Sequence, residues 1–255
     1  MHIDIQGQGP DLVLIHGWAM HAGIFAPLVR ELGGRFRLHL VDLPGHGASP
    51  ERDRPLDLAD GARRIAAATP PAMWIGWSLG GLVALEAALT RPGQVQALGL
   101  IASSPRFVVG ADWPHGVEHA VFTQFGAGLE RDYHRTIERF LALEAHGSDH
   151  AQAELRALKA EVFARGEPAL PVLRDGLDIL DRSDYRARLA GLAMPSLWLA
   201  GRRDRLIPHA AMQWGAAHSP RGVYREFSAG HAPFIGHPRE IAATIAHFHA
   251  EVSVA

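Results

Sequence analysis

The chain has no cysteine. That excludes disulfide bonds and thiolate-bound zinc, and it leaves the compartment open, since cytosolic and exported proteins can both lack the residue. It also lacks a surplus of either charge. Against 27 Asp and Glu stand 25 Lys and Arg, a formal net charge of -2, so no nucleic-acid partner is expected. No apolar run approaches the length that spans a bilayer, so no membrane partner is expected either. The start, Met1-His2-Ile3-Asp4-Ile5-Gln6-Gly7, has no basic region followed by an apolar segment, and a soluble cytoplasmic protein is the expectation. The 16 histidines are scattered. No H-E-x-x-H pattern or close His/Asp cluster marks a metal site, and no metal or cofactor is expected. Internal repeats and low-complexity tails are absent.

What is present is apolar sequence in short blocks. The chain is 47% hydrophobic over 255 residues, enough for one large α/β domain or a core with an insert. Six blocks read as strands: Leu12 to Ile15, Leu38 to Val41, Met73 to Ile75, Ala97 to Ile101, Ser196 to Ala200 and Val223 to Phe227. Most are continuously apolar, as expected for a parallel sheet covered on both faces. Helical periodicity lies between them, at about 23–33, 58–68, 80–90, 208–217 and 238–251. Alternating strands and helices imply right-handed crossovers, with the chemistry gathered beyond the carboxyl ends of the strands. Residues 108–190 break the alternation. They contain helical runs from Glu130 to Ala145 and from Ala151 to Ala164, and no strand. The expected division is a core of 1–107 and 191–255 with 108–190 inserted as a helical cap over the active edge.

The most specific motif is Gly76-Trp77-Ser78-Leu79-Gly80, between an apolar strand and the helical Gly81 to Leu89. A strand turning abruptly into a helix strains the central serine and exposes its hydroxyl, and the flanking glycines give room for the turn. A serine hydroxyl needs a base. His231, in the loop after the last strand, is the candidate. His237 reads better as a helix-cap residue, and His16 and His46 as structural residues of glycine-rich turns. The base needs an acid, and Asp204 follows the fifth strand in Gly201-Arg202-Arg203-Asp204. Ser78, Asp204, His231 is the nucleophile–acid–base order of one fold class in particular. Asp42 violates that order, and Asp112 is the other late competitor. Asp204 could instead pair with a neighbouring arginine. The backbone N–H groups of Leu79 and Trp18 are the expected oxyanion donors.

Several segments together resemble the pimeloyl-acyl-carrier-protein methyl ester esterases of biotin synthesis, within the α/β-hydrolase superfamily. They are Leu14-Ile15-His16-Gly17-Trp18, Leu38 to Gly45, Gly76 to Ala84, Val95 to Leu98, Ala102 to Pro105, Glu138-Arg139-Phe140-Leu141-Ala142-Leu143 and His231 to Ile235. The resemblance implies an α/β-hydrolase fold, a mostly parallel sheet flanked by helices with a helical cap. It implies a monomeric, cofactor-free serine esterase that frees methanol from pimeloyl methyl ester borne on acyl-carrier protein. It makes Ser78, Asp204 and His231 the triad, and puts Trp18 and Leu79 at the oxyanion. It makes Phe140, Leu141, Ala142, Leu143 and Glu144 the wall of the acyl channel. The family's carrier-docking cations fall on Arg135, Arg139 and Arg156, and a further basic position falls on Gln152.

The residues alone agree in part. Arg131, Arg135 and Arg139 are spaced by four, which predicts one helix face that an acidic carrier could meet. The insert nevertheless holds more acidic than basic residues, and Glu130, Asp132 and Glu138 could neutralise those arginines. A broad short-chain esterase, a carbon–carbon hydrolase, an acyltransferase and a non-catalytic binding protein are the other readings of the same core.

Overall fold

All six apolar blocks form strands, and a seventh strand precedes them. A computed structural model describes residues 1–50 and 55–254. Its strands are β1 (His2–Gly7), β2 (Asp11–Ile15), β3 (Arg37–Asp42), β4 (Ala72–Trp77), β5 (Val95–Ile101), β6 (Ser196–Gly201) and β7 (Gly222–Phe227). They form one sheet in the order β1-β3-β2-β4-β5-β6-β7. Only β1 is antiparallel, pairing with β3 from His2 opposite Asp42 to Gly7 opposite Arg37. It is the largely exposed edge of the sheet, which explains why it carries no continuous apolar run. After β3 the chain crosses back over β2 to lay down β4, so a switch point lies between β2 and β4. Loops beyond the carboxyl ends of such a strand pair frame a crevice.

Helices α1 (Ala26–Leu32), α2 (Leu58–Ala68) and α3 (Leu79–Thr90) link the first strands. All but the last two residues of α3 are buried, which matches its apolar character on every face. Between β5 and β6 lie α4 (His119–Arg131), α5 (Tyr133–Ala145), α6 (Ala151–Val162) and α7 (Leu170–Arg182). Helices α8 (His209–Ala217), α9 (Pro233–Gly236) and α10 (Pro238–Val254) complete the chain. Among the described residues, no helix is long and apolar enough to cross a membrane.

The four helices between β5 and β6 differ from expectation in two places. The run read as one helix from Glu130 is broken at Asp132, whose backbone is extended at φ -156 and ψ 90 and whose carboxylate accepts the Arg135 amide. An aspartate offering its side chain to the first turn starts a new helix more readily than it continues the old one. Arg131 therefore ends α4, whereas Arg135 and Arg139 lie on α5, so the single helix face expected for the three does not exist. The second difference is α7. Leu170-Pro171, read as punctuation, is its first turn, where a proline lacks no intrahelical hydrogen bond.

Candidate active site

Ser78 caps the junction of β4 and α3 with φ 53 and ψ -119. A non-glycine residue there carries about 1–3 kcal/mol of backbone strain. The turn is tight enough that a Cβ on Gly76 would lie 2.2 Å from Gly80 O, and one on Gly80 2.3 Å from Ile15 O. The second approach places the turn after β2 directly against the serine. Consistently, a Cβ on Gly17 would lie 3.3 Å from Ser78 Cβ.

His231 is reached from the loop after β7. Its peptide is held at both ends: its N–H donates to Glu144 O at 3.0 Å, and its carbonyl accepts from the Trp77 indole at 2.8 Å. Its Nδ1 lies 2.8 Å from Asp204 Oδ2. Asp204 Oδ1 accepts the amides of Leu206 at 2.8 Å and Ile207 at 2.9 Å. A carboxylate held by two amides and facing a ring nitrogen requires Nδ1 to carry the proton, which leaves Nε2 free to accept one. Both Ser78 Oγ and His231 Nε2 are buried and have no hydrogen-bond partner. The serine–histidine bond is thus not made in this closed state; such bonds often tighten only around substrate.

Two neighbouring arginines are engaged elsewhere, Arg203 with Asp149 and Arg202 with Glu226 at 3.9 Å. The competing acids are also occupied. Asp42 is buried and accepts the amides of Ala22 and Ala48, and Asp112 is an exposed partner of Arg186.

The helices above close the site. Ser78 is 1% exposed and His231 is fully buried. Trp18 is fully buried, packs edge-on against Phe140 with ring centroids 4.6 Å apart, and donates its indole N–H to Leu173 O in α7 at 2.8 Å. It therefore both walls the site and ties α7 to the core. A Cβ on Gly176 would meet the Trp18 ring at 2.6 Å and Leu79 Cδ2 at 3.3 Å, so α7 sits directly on the expected oxyanion residues. Neither the Trp18 nor the Leu79 amide donates to another described group, and both stay available for an oxyanion.

Phe140, Leu141 and Glu144 of α5 are buried and Leu143 is half-buried. Ala142 is exposed: the helical period turns it outward while 140, 141 and 144 face in, so the expected wall is not continuous through it. Glu144 is unusual. Both carboxyl oxygens are buried without partners, and burial together with the nearby Asp204 charge holds its pKa well above the ordinary carboxylate value. Burial without a partner favours its protonated form.

A cleft of about 350 Å³ between α4 and α5 is lined by Arg131, Arg135 and Arg139 with Gln124 and Asp132. None of these arginines forms an ion pair with a described carboxylate. Glu130 pairs with Arg174 and Glu138 with Lys159, and Asp132 caps α5. Arg156 and Gln152 are exposed on α6. Among the described residues, no group of three or more His, Cys, Asp or Glu side chains is arranged to hold a metal ion.

Sequence reasoning missed Trp77 as the anchor of the histidine loop, although it lies within the elbow motif. It also missed the two amides that hold Asp204, which no side-chain pattern reveals.

A family model described as alpha/beta hydrolase fold matches residues 10–238. The chain belongs to that family. Within it, the chain falls among the pimeloyl-[acyl-carrier protein] methyl ester esterases. It is 56% identical over 249 residues to the one from Xanthomonas campestris pv. campestris (strain B100), covering 97% of this chain and 98% of that protein. It is 55% identical over 256 residues to the one from Stenotrophomonas maltophilia (strain K279a), covering 100% and 98%. Among solved structures, an esterase from Exiguobacterium antarcticum aligns with a TM-score of 0.85 at 19% identity, covering 97% of this chain and 94% of that one. The enol-lactonase from Burkholderia xenovorans LB400 also aligns at 0.85, with 18% identity and coverage of 98% and 96%. These two likenesses speak to the fold alone.

Proposed function

We propose that this chain is a serine carboxylesterase that hydrolyses the methyl ester of a pimeloyl chain carried on acyl-carrier protein, giving the free distal carboxylate and methanol. The observation that carries the reading is the likeness, over nearly the whole length, to esterases that bear this name. The geometry supports the chemistry. His231 Nε2 takes the Ser78 proton as Oγ attacks the ester carbon. Asp204 keeps the proton on Nδ1 and stabilises the imidazolium. The Leu79 and Trp18 amides receive the oxyanion; each such donor is worth roughly 10²–10³ in rate. The imidazolium then protonates departing methoxide, and a water deprotonated by the same nitrogen clears the acyl-enzyme. No cofactor enters this scheme.

On this reading, residues 108–190 are the cap of a core formed by 1–107 and 191–255. Phe140, Leu141, Leu143 and Glu144 border the acyl chain, and the helices must part to admit it because Ser78 is closed off. Arg131, Arg135 and Arg139 around the α4–α5 cleft, together with the exposed Arg156 of α6, are the cations assigned to the acidic carrier. The protein is read as a cytoplasmic monomer. Ile5 as the one large hydrophobic side chain left exposed among the described residues supports that reading.

The test is methanol release from methyl-pimeloyl-acyl-carrier protein and from dimethyl pimelate. A strong preference for the carrier-borne ester is expected. Equal specificity constants would leave a general short-chain esterase.

A further inference from the structure

We propose that His16 is a positioning residue for the oxyanion, aiming the Trp18 amide by holding the carbonyl of the same peptide unit. The inference rests on Ser78 being an acyl-transfer nucleophile. His16 is fully buried at the end of β2. Its Nε2 accepts the Leu43 amide at 3.0 Å, so that nitrogen carries no proton. Nδ1 must then be the protonated one, and it donates to Gly17 O at 2.8 Å. Gly17 O takes a second, longer bond from the Met20 amide at 3.3 Å.

Gly17 O and the Trp18 N–H belong to one planar peptide. No peptide bond in the described chain is cis, so carbonyl and N–H point in opposite directions. Fixing the carbonyl on the His16 ring therefore fixes the N–H on the other side. That peptide begins at Gly17, where a Cβ would lie 3.3 Å from Ser78 Cβ. The Leu43 bond anchors the ring itself to the turn after β3, the strand next to β2. The ring thus staples two adjacent strand-end turns and transmits that rigidity to one amide. Burial, with the His46 ring 5.1 Å away, depresses the His16 pKa to about 3, so the single-donor, single-acceptor arrangement holds throughout the working pH range.

Two amide variants separate the two bonds. His16→Asn places an N–H donor where Nδ1 lies and gives up the Leu43 tie. His16→Gln reaches the Nε2 position, keeping the Leu43 tie and giving up the carbonyl. With a short-chain nitrophenyl ester, kcat in His16→Gln and His16→Ala is expected to fall by about 10- to 100-fold. KM should stay unchanged, and inhibition by a trifluoromethyl ketone, which forms the same oxyanion on Ser78, should weaken by a similar factor. His16→Asn should keep kcat within about threefold, by retaining the donor. Equal rates in the Asn and Gln variants would overturn the proposal, as would a loss confined to KM or to thermal stability. If the Ala variant does not fold, the Asn–Gln comparison still decides. A wild-type protein inert to both ester and ketone would instead overturn the reading of Ser78.

Discussion

Asp204→Asn isolates the role of the acid because the structure dictates how the new amide must sit. Asp204 Oδ1 accepts two backbone amides, from Leu206 and Ile207. Those donors will keep the carboxamide oxygen, which leaves the NH₂ group facing His231 Nδ1, 2.8 Å away in the native protein. Nδ1 must then accept, its proton moves to Nε2, and Nε2 can no longer take the proton of Ser78. The change is nearly isosteric and preserves every contact but that one. The expected loss in kcat is about 10⁴-fold, the size of a wrong-tautomer defect; at about 1.36 kcal/mol per tenfold this is roughly 5 kcal/mol of lost transition-state stabilisation. The assay is kcat on a short nitrophenyl ester, with circular dichroism to verify the fold and a pH series to look for partial recovery in alkali. A folded Asn variant within tenfold of the wild type would refute the reasoning and place the acid elsewhere.

Glu144→Gln should stabilise the protein in a pH-dependent way. The native state holds the Glu144 proton above the ordinary carboxylate range, so stability falls as pH rises from about 4.5 through the raised value. Glutamine does not titrate. Its advantage should be small at pH 4 and grow as pH rises above about 4.5, each kcal/mol appearing as about 2–4 °C in Tm. A Tm difference that does not change with pH would contradict the assignment. The double variant Arg135→Glu with Arg139→Glu should raise KM for the carrier-borne ester at least tenfold, by charge reversal at the cleft, and spare small esters. Equal losses on both substrates, measured side by side, would reduce these residues to fold support.

Much of this was readable before any coordinates because α/β architecture writes itself in alternating periods. The buried strands from β2 to β6 are apolar on both faces, and the elbow around Ser78 needs glycines that the sequence supplies. The order Ser78, Asp204, His231 sets Asp42 aside without geometry, whereas Asp112 fits the same order and is set aside only by its exposed pairing with Arg186. The failures are equally physical. Strand β1 alternates at an exposed edge, so it lacks the continuous run that marked its neighbours. Asp132 divides two helices through a side-chain cap, a local competition that a four-residue spacing of arginines conceals. The isolated carboxyl of Glu144 and the bridging ring of His16 depend on what lies above them in space. No linear pattern states that.

The central claim is that Ser78 is the nucleophile of an esterase in which His231 and Asp204 act as one relay. Its most direct measurement is reaction of the folded protein with a fluorophosphonate, followed by mass mapping of the adduct. A single adduct on Ser78 is expected, formed at a rate that falls sharply in His231→Ala. An unmodified Ser78 in folded protein, or labelling indifferent to the loss of the imidazole, would contradict it.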